Sequence, residues 1–110
     1  MRHIADHVKA LVNTAAKGYK WAVVVSDTAK ANEMISLVPW FTQGRGSKLN
    51  RATLTVEVGA GSIKFVPSTT AVERLKGLEF DELFVDECAE INPDMLGKLE
   101  NIWHLVKKGD

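Results

Sequence analysis

The chain has 110 residues, 45% of them hydrophobic, and 14 basic residues balance 14 acidic ones to give a formal net charge of zero. This suits one small domain over residues 1–110 and excludes a global electrostatic pull toward nucleic acid or membrane. The single cysteine, Cys88, excludes an internal disulfide framework, and no apolar run approaches the ~20 residues that span a bilayer. The first residues, Met1 to His7, offer no apolar signal core, so the expectation is a cytoplasmic protein with no membrane contact.

Residues 2–16 read as a helix, because Ile4, Val8, Leu11, Val12 and Ala15 recur at helical spacing, with Gly18 as the stop. Residues 21–26, Trp-Ala-Val-Val-Val-Ser, form a continuous apolar run of the kind buried on both faces of a parallel sheet. Asp27 or Thr28 then caps a second helix, expected to end near Leu37 ahead of Pro39. Residues 42–51 are polar, glycine-rich and basic, and read as a loop.

Two alternating runs follow, with Leu54, Val56 and Val58 on one face of the first and Ile63 and Phe65 on one face of the second. Gly59-Ala60-Gly61 between them predicts a β-hairpin with a three-residue turn. Thr70 and Glu73 have capping-box spacing and open a short helix that ends at Gly77. Leu83-Phe84-Val85 is another buried strand, and Asn92-Pro93-Asp94 starts a last helix whose stripe is Met95, Leu99, Ile102, Trp103 and Val106. The expected fold is therefore α/β: a mostly parallel sheet with an edge β-hairpin and helices on its faces.

The chemistry concentrates in Glu82-Leu83-Phe84-Val85-Asp86-Glu87. An apolar run drives a central strand and two carboxylates close it, at the end where open α/β sheets bind ligands. In a nucleotide-hydrolysing site the first acid holds Mg²⁺, usually through water, and the second orients the attacking water. The same string also serves simply to end a strand and begin a turn.

The wider stretch over residues 62–91 resembles the ATPase domain of phage terminase large subunits and related superfamily 2 helicases. Arg74-Leu75-Lys76-Gly77 matches their Arg-Leu-(Arg/Lys)-Gly signature, and Leu83-Phe84-Val85-Asp86-Glu87-Cys88-Ala89 matches their Walker B strand. Val23 to Thr28, with Ala31 and Asn32, resembles the strand and helix start that follow the P-loop helix. The resemblance implies an incomplete P-loop NTPase (RecA-like) core of a viral DNA-packaging or helicase-type DNA translocase. It implies ATP and Mg²⁺ as ligands, Asp86 as the metal-holding acid and Glu87 as the water-activating one. By the same analogy Arg74 and Lys76 touch DNA or nucleotide.

One departure matters. The family needs G-x-x-x-x-G-K-[ST], and the 110 residues contain no such string. Gly97-Lys98 is followed by Leu99, and Gly44-Arg45-Gly46-Ser47-Lys48 has the wrong spacing. The expectation is a chain that is not an active ATPase in isolation, with the missing loop lost or supplied by a partner chain. The rival expectation is a non-enzymatic binding module on the same scaffold, docking on a partner ATPase or on nucleic acid.

Other residues also present candidate sites. Arg45, Lys48 and Arg51 form a basic segment able to track a phosphate backbone, against a solvated loop. Trp21, Trp40 and Trp103 offer stacking platforms for bases, with core packing preferred. His3 and His7, one helical turn apart, lack a further metal ligand on their face and read as a solvated helix edge. Cys88 has no identifiable base partner and reads as a small buried residue.

Overall fold

The computed structural model describes residues 4–42, 47–76, 79–86, 93–95, 97–99 and 101. In chain order these hold α1 (Ile4–Ala15), β1 (Lys20–Val25), α2 (Thr28–Thr42), β2 (Ser47–Asn50), β3 (Thr55–Val58), β4 (Gly61–Pro67), α3 (Ala71–Leu75) and β5 (Glu82–Val85). Residues 93–95, 97–99 and 101 are helical as well.

The first helix follows its apolar stripe: Val8, Leu11, Val12 and Ala15 are all buried. Gly18 ends it with a positive φ of 112°, and its N–H donates to the Ala15 carbonyl at 2.9 Å. Asp27 caps α2, its Oδ1 accepting from the Lys30 N–H at 2.8 Å.

Pro39 does not stop α2, as the sequence suggested, but lies inside it. Its ring removes the N–H that would bond the carbonyl of Ile35, at a cost of about 3 kcal/mol. The turn around it is held by packing instead. Val38 is 1% exposed, Thr42 is buried, and Phe41 packs on the main core. The Thr42 hydroxyl donates to the Pro39 carbonyl at 3.1 Å.

The segment expected as a loop over 42–51 contains a strand. Residues Ser47–Asn50 pair antiparallel with β3, Ser47 opposite Val58 and Asn50 opposite Thr55. All four are exposed, so no apolar alternation announced them. The turn that returns the chain is built by Asn50, whose Oδ1 accepts from the N–H groups of Ala52 and Thr53 at 3.0 and 3.3 Å. Leu54 belongs to this turn and not to the strand. It is buried at a left-handed φ of 51°, and its carbonyl accepts from the Phe65 N–H at 2.9 Å.

The hairpin between β3 and β4 is present, but its turn is two residues long, because Val58 pairs with Gly61. Gly59 carries the positive φ of 56° that the first position of a II′ turn requires. The capping box at Thr70 does not form: no side-chain cap bond reaches into α3. The Thr70 hydroxyl lies instead at 3.5 Å from the Pro67 carbonyl.

The sheet has five strands in the order β2-β3-β4-β1-β5. β1 runs parallel to both β4 and β5, with Val24 opposite Val66 on one side and Val85 on the other. The two apolar runs of the sequence are thus adjacent parallel strands, but only β1 is fully buried from Ala22 to Val25. β5, expected as a buried strand, is half-buried along its length because it has a strand neighbour on one side only among the described residues. The sheet is mixed and not mostly parallel: β2-β3-β4 is antiparallel, and β5 is an edge among the described strands where a central strand was expected. The extra antiparallel strand is β2, the one that the sequence concealed.

Alternation along the strands builds two cores. Val23, Val25, Ile63 and Phe65 point to one face, where α1 and α2 cover them. Ala22, Val24 and Val66 point to the other, against Ala71 and Leu75 of α3, Phe80 and Leu99. Helices therefore lie on both faces, over β1, β4 and β5.

Candidate functional site

Parallel strands end together, so β4, β1 and β5 bring three chain segments to one edge: Ser68 to Thr70, Ser26 to Thr28, and Asp86. The segment after β1 enters α2 on one face, and that after β4 enters α3 on the opposite face. Where adjacent parallel strands send their connections to opposite faces, a crevice opens outside their C-terminal ends, and open α/β sheets bind ligands there.

Two hydrogen bonds extend the sheet beyond its formal end. The Ser68 N–H donates to the Val25 carbonyl at 2.7 Å, and the Asp86 N–H donates to the Val24 carbonyl at 2.9 Å. Ser68 and Asp86 thereby flank the end of β1 from either side. Each is only 5% exposed. Among the described residues the one other buried polar side chain is Thr42, so polar burial concentrates at this edge. A buried carboxylate is expensive without compensation and informative for that reason.

Asp86, expected at the ligand-binding end of a central strand, is instead buried at the end of a strand that is an edge among those described. Glu87 and Cys88 lie outside the described residues, as do Arg45, His3, Trp103 and Gly77. Arg74 is exposed on α3, and Lys76 is exposed at its C-cap. Lys76 lines a groove with Thr69, Thr70, Glu73, Asp94 and Lys98, beside the end of β4. Lys98 there is ion-paired with Asp94 at 3.3 Å. Lys48 is remote from this edge group: it sits on β2, with three strands between it and β5. Ser68 was not singled out from the sequence, although Ser68-Thr69-Thr70 directly follows an apolar strand and is a recognisable polar strand end.

The Asp86 carboxylate is an oxygen donor of the kind that suits a hard cation such as Mg²⁺ rather than zinc, while Ser68 lies on the far side of β1 from it. Among the described residues no cluster of three His, Cys, Asp or Glu side chains is placed to hold a metal. Mg²⁺ commonly takes one or two carboxylates and fills its shell with water and substrate phosphates, so a single carboxylate such as Asp86 fits it.

The histidine and tryptophan expectations resolve individually. The His7 ring meets Phe84 edge-on at 5.2 Å, and His7 Nδ1 and Trp21 Nε1 are buried without a hydrogen-bond partner. Trp21 packs against the main core, as expected. Trp40 does not: it is 79% exposed, because the helix continuing past Pro39 turns Val38 and Thr42 inward and Trp40 outward. Trp40→Ala is expected to change stability by less than about 0.5 kcal/mol in urea melts. A loss of about 2 kcal/mol or more, the cost of a core truncation, would show that the side chain is buried in solution.

Comparison of the chain with family models, with curated proteins and with solved structures gives no match. The functional reading therefore rests on residues and geometry.

Proposed function

We propose that the chain carries the acidic side of a nucleotide-hydrolysing site, within a partial RecA-like ATPase core of the DNA-packaging terminase or helicase type. The observation that supports this reading is Asp86, a buried carboxylate at the C-terminal end of a parallel strand, beside the crevice between β1 and β4. In this reading Asp86 holds Mg²⁺ through water, and Glu87 orients the attacking water. The chemistry that Mg²⁺ would supply there is neutralisation of phosphate charge, with Asp86 as the residue that would hold it. Ser68 and the Ser26-Asp27 turn form the neighbouring wall of the crevice. Arg74 and Lys76 are the candidate contacts to DNA or nucleotide.

The phosphate cradle is the missing part. Without G-x-x-x-x-G-K-[ST] the main contacts to the phosphates are not made by these residues. In this reading the 110 residues are a partial site, and a strand and P-loop from outside them would complete it. The burial of Asp86 favours a second reading, in which the scaffold is a non-enzymatic binding module and the acid is structural.

Calorimetric titration of the purified chain with Mg²⁺·ATP separates the two. The expected result is weak, Mg²⁺-dependent binding that tightens when a strand-plus-P-loop peptide is added. ATP turnover should stay within a few-fold of background. Absence of any Mg²⁺-dependent heat, with or without the peptide, overturns the ATPase reading. A turnover of ~1 s⁻¹ or more, in the ordinary enzyme range, overturns the partial-site reading.

A further inference from the structure

We propose that the outer half of the sheet, the β2-β3-β4 ribbon, is a docking surface for the phosphate backbone of a nucleic acid. Its inward face carries Val56, Val58, Ile63 and Phe65 into the core. Its other face is polar along β2, β3 and the first part of β4, where no helix covers it among the described residues; α3 packs on this face only at Val66, near the end of β4. Strand register sets Lys48 opposite Glu57, and Asn50 opposite Thr55, which in turn is opposite Lys64. With Arg51 and Thr53 from the Asn50 turn, these residues line one open groove.

The charge of that groove is what commits it to an anion. Three cations, Lys48, Arg51 and Lys64, meet one acid, Glu57. None of the three has a carboxylate within ion-pairing distance among the described residues, whereas Lys20 and Lys98 do, with Glu79 and Asp94. Lys64 Nζ is held over the turn by the Thr53 carbonyl at 3.4 Å. Unpaired cations pay little desolvation when a phosphate arrives, and each one engaged releases counterions from the polymer. Threonine and asparagine side chains between the cations are the usual additional phosphate contacts.

The spacing suits a polymer rather than a single small anion. Lys48 and Lys64 are two strands apart, about 10 Å in backbone spacing at ~4.8 Å per strand, and Arg51 lies beyond them on the turn, so the cations are spread along a path rather than gathered at one point. With equal numbers of acids and bases over the whole chain, any affinity for nucleic acid has to come from a local arrangement such as this one. The inference names the partner surface of the proposed translocase, and to that extent it rests on that reading. Its support, however, is independent of the acidic site.

The test is fluorescence anisotropy of labelled DNA, single-stranded and duplex, over a salt series. Binding should weaken steeply with salt. Lys48→Ala, Arg51→Ala and Lys64→Gln should each lower the salt slope by about one. Glu57→Gln should tighten binding by about two- to five-fold, the size of one exposed charge interaction, which a merely structural role does not produce. Lys9→Ala, which removes an exposed cation on α1 outside the groove, should leave DNA binding unchanged. Binding is read without Mg²⁺ or nucleotide, so this surface and the nucleotide site fail separately. The proposal is overturned by no DNA binding at low salt, by wild-type binding in the triple variant, or by binding to phosphatidylserine vesicles in place of DNA.

Discussion

Gly61→Ala is expected to destabilise the domain by about 3 kcal/mol or more, the upper range for forcing an added methyl group into packed structure. Gly61 opens β4 directly beneath the turn that joins α1 to β1. A Cβ built there collides with the carbonyl oxygens of Ala15 and Tyr19. Both obstacles are backbone, and both are tethered. The Ala15 carbonyl accepts from Gly18 at 2.9 Å, and the Tyr19 carbonyl accepts from Ser62 at 3.1 Å. Relief of the clash therefore breaks either the end of α1 or the entry of β4. Gly97 provides the contrast: it is an exposed helical position, and an added methyl carbon there would have nothing within 4 Å. Gly97→Ala is expected to stabilise by roughly 0.5–1 kcal/mol through helix propensity. Urea denaturation of the two variants measures the difference. A Gly61→Ala midpoint equal to that of the natural sequence would contradict this packing of α1 against β4.

Much of this arrangement is legible in the sequence, and the exceptions have identifiable causes. Val23-Val24-Val25 and Leu83-Phe84-Val85 are apolar on consecutive positions, the pattern of strands in a parallel sheet, and they are parallel neighbours, although the second run is only half-buried at the edge. The α1 stripe and the Asp27 cap are equally direct, because each is a local rule that packing reinforces. The strand β2 is hidden because all its residues are exposed, so its existence depends on backbone pairing with β3 alone. Pro39 misleads because propensity penalises it, while the burial of Val38 and Thr42 around it offsets the penalty. Gly61 reads as turn when it is strand, since sequence cannot separate a glycine needed for positive φ, as at Gly59, from one needed for close approach. At the candidate site, Asp86 is found from its position after an apolar run. Its burial is not, because burial depends on tertiary packing around the end of β5, which a linear pattern does not encode. The groove at Lys48 and Lys64 joins residues from different strands, which the linear pattern does not bring together.

Asp86→Asn is expected to abolish the Mg²⁺ response of the chain, a loss of at least about ten-fold in metal affinity, while preserving the cooperative fold. The size follows from the role of the carboxylate as the anionic ligand, since even the outer partners of metal ligands change affinity by about 10- to 100-fold when replaced. Folding should survive because the substitution is nearly isosteric and leaves intact the backbone hydrogen bond from the residue 86 N–H to the Val24 carbonyl at 2.9 Å. Asp86→Leu serves as the comparison, since it removes the polar group altogether from a position only 5% exposed. NMR titration with Mg²⁺ reads the first effect and thermal melts read the second. If Asp86 serves the fold instead, the order reverses. Asp86→Asn would then cost about 3–5 kcal/mol, as removal of one partner from a buried charged network does, and Mg²⁺ affinity would stay as it was. That outcome would leave the acid as the closing residue of β5 and would transfer the function of the chain to its binding surfaces.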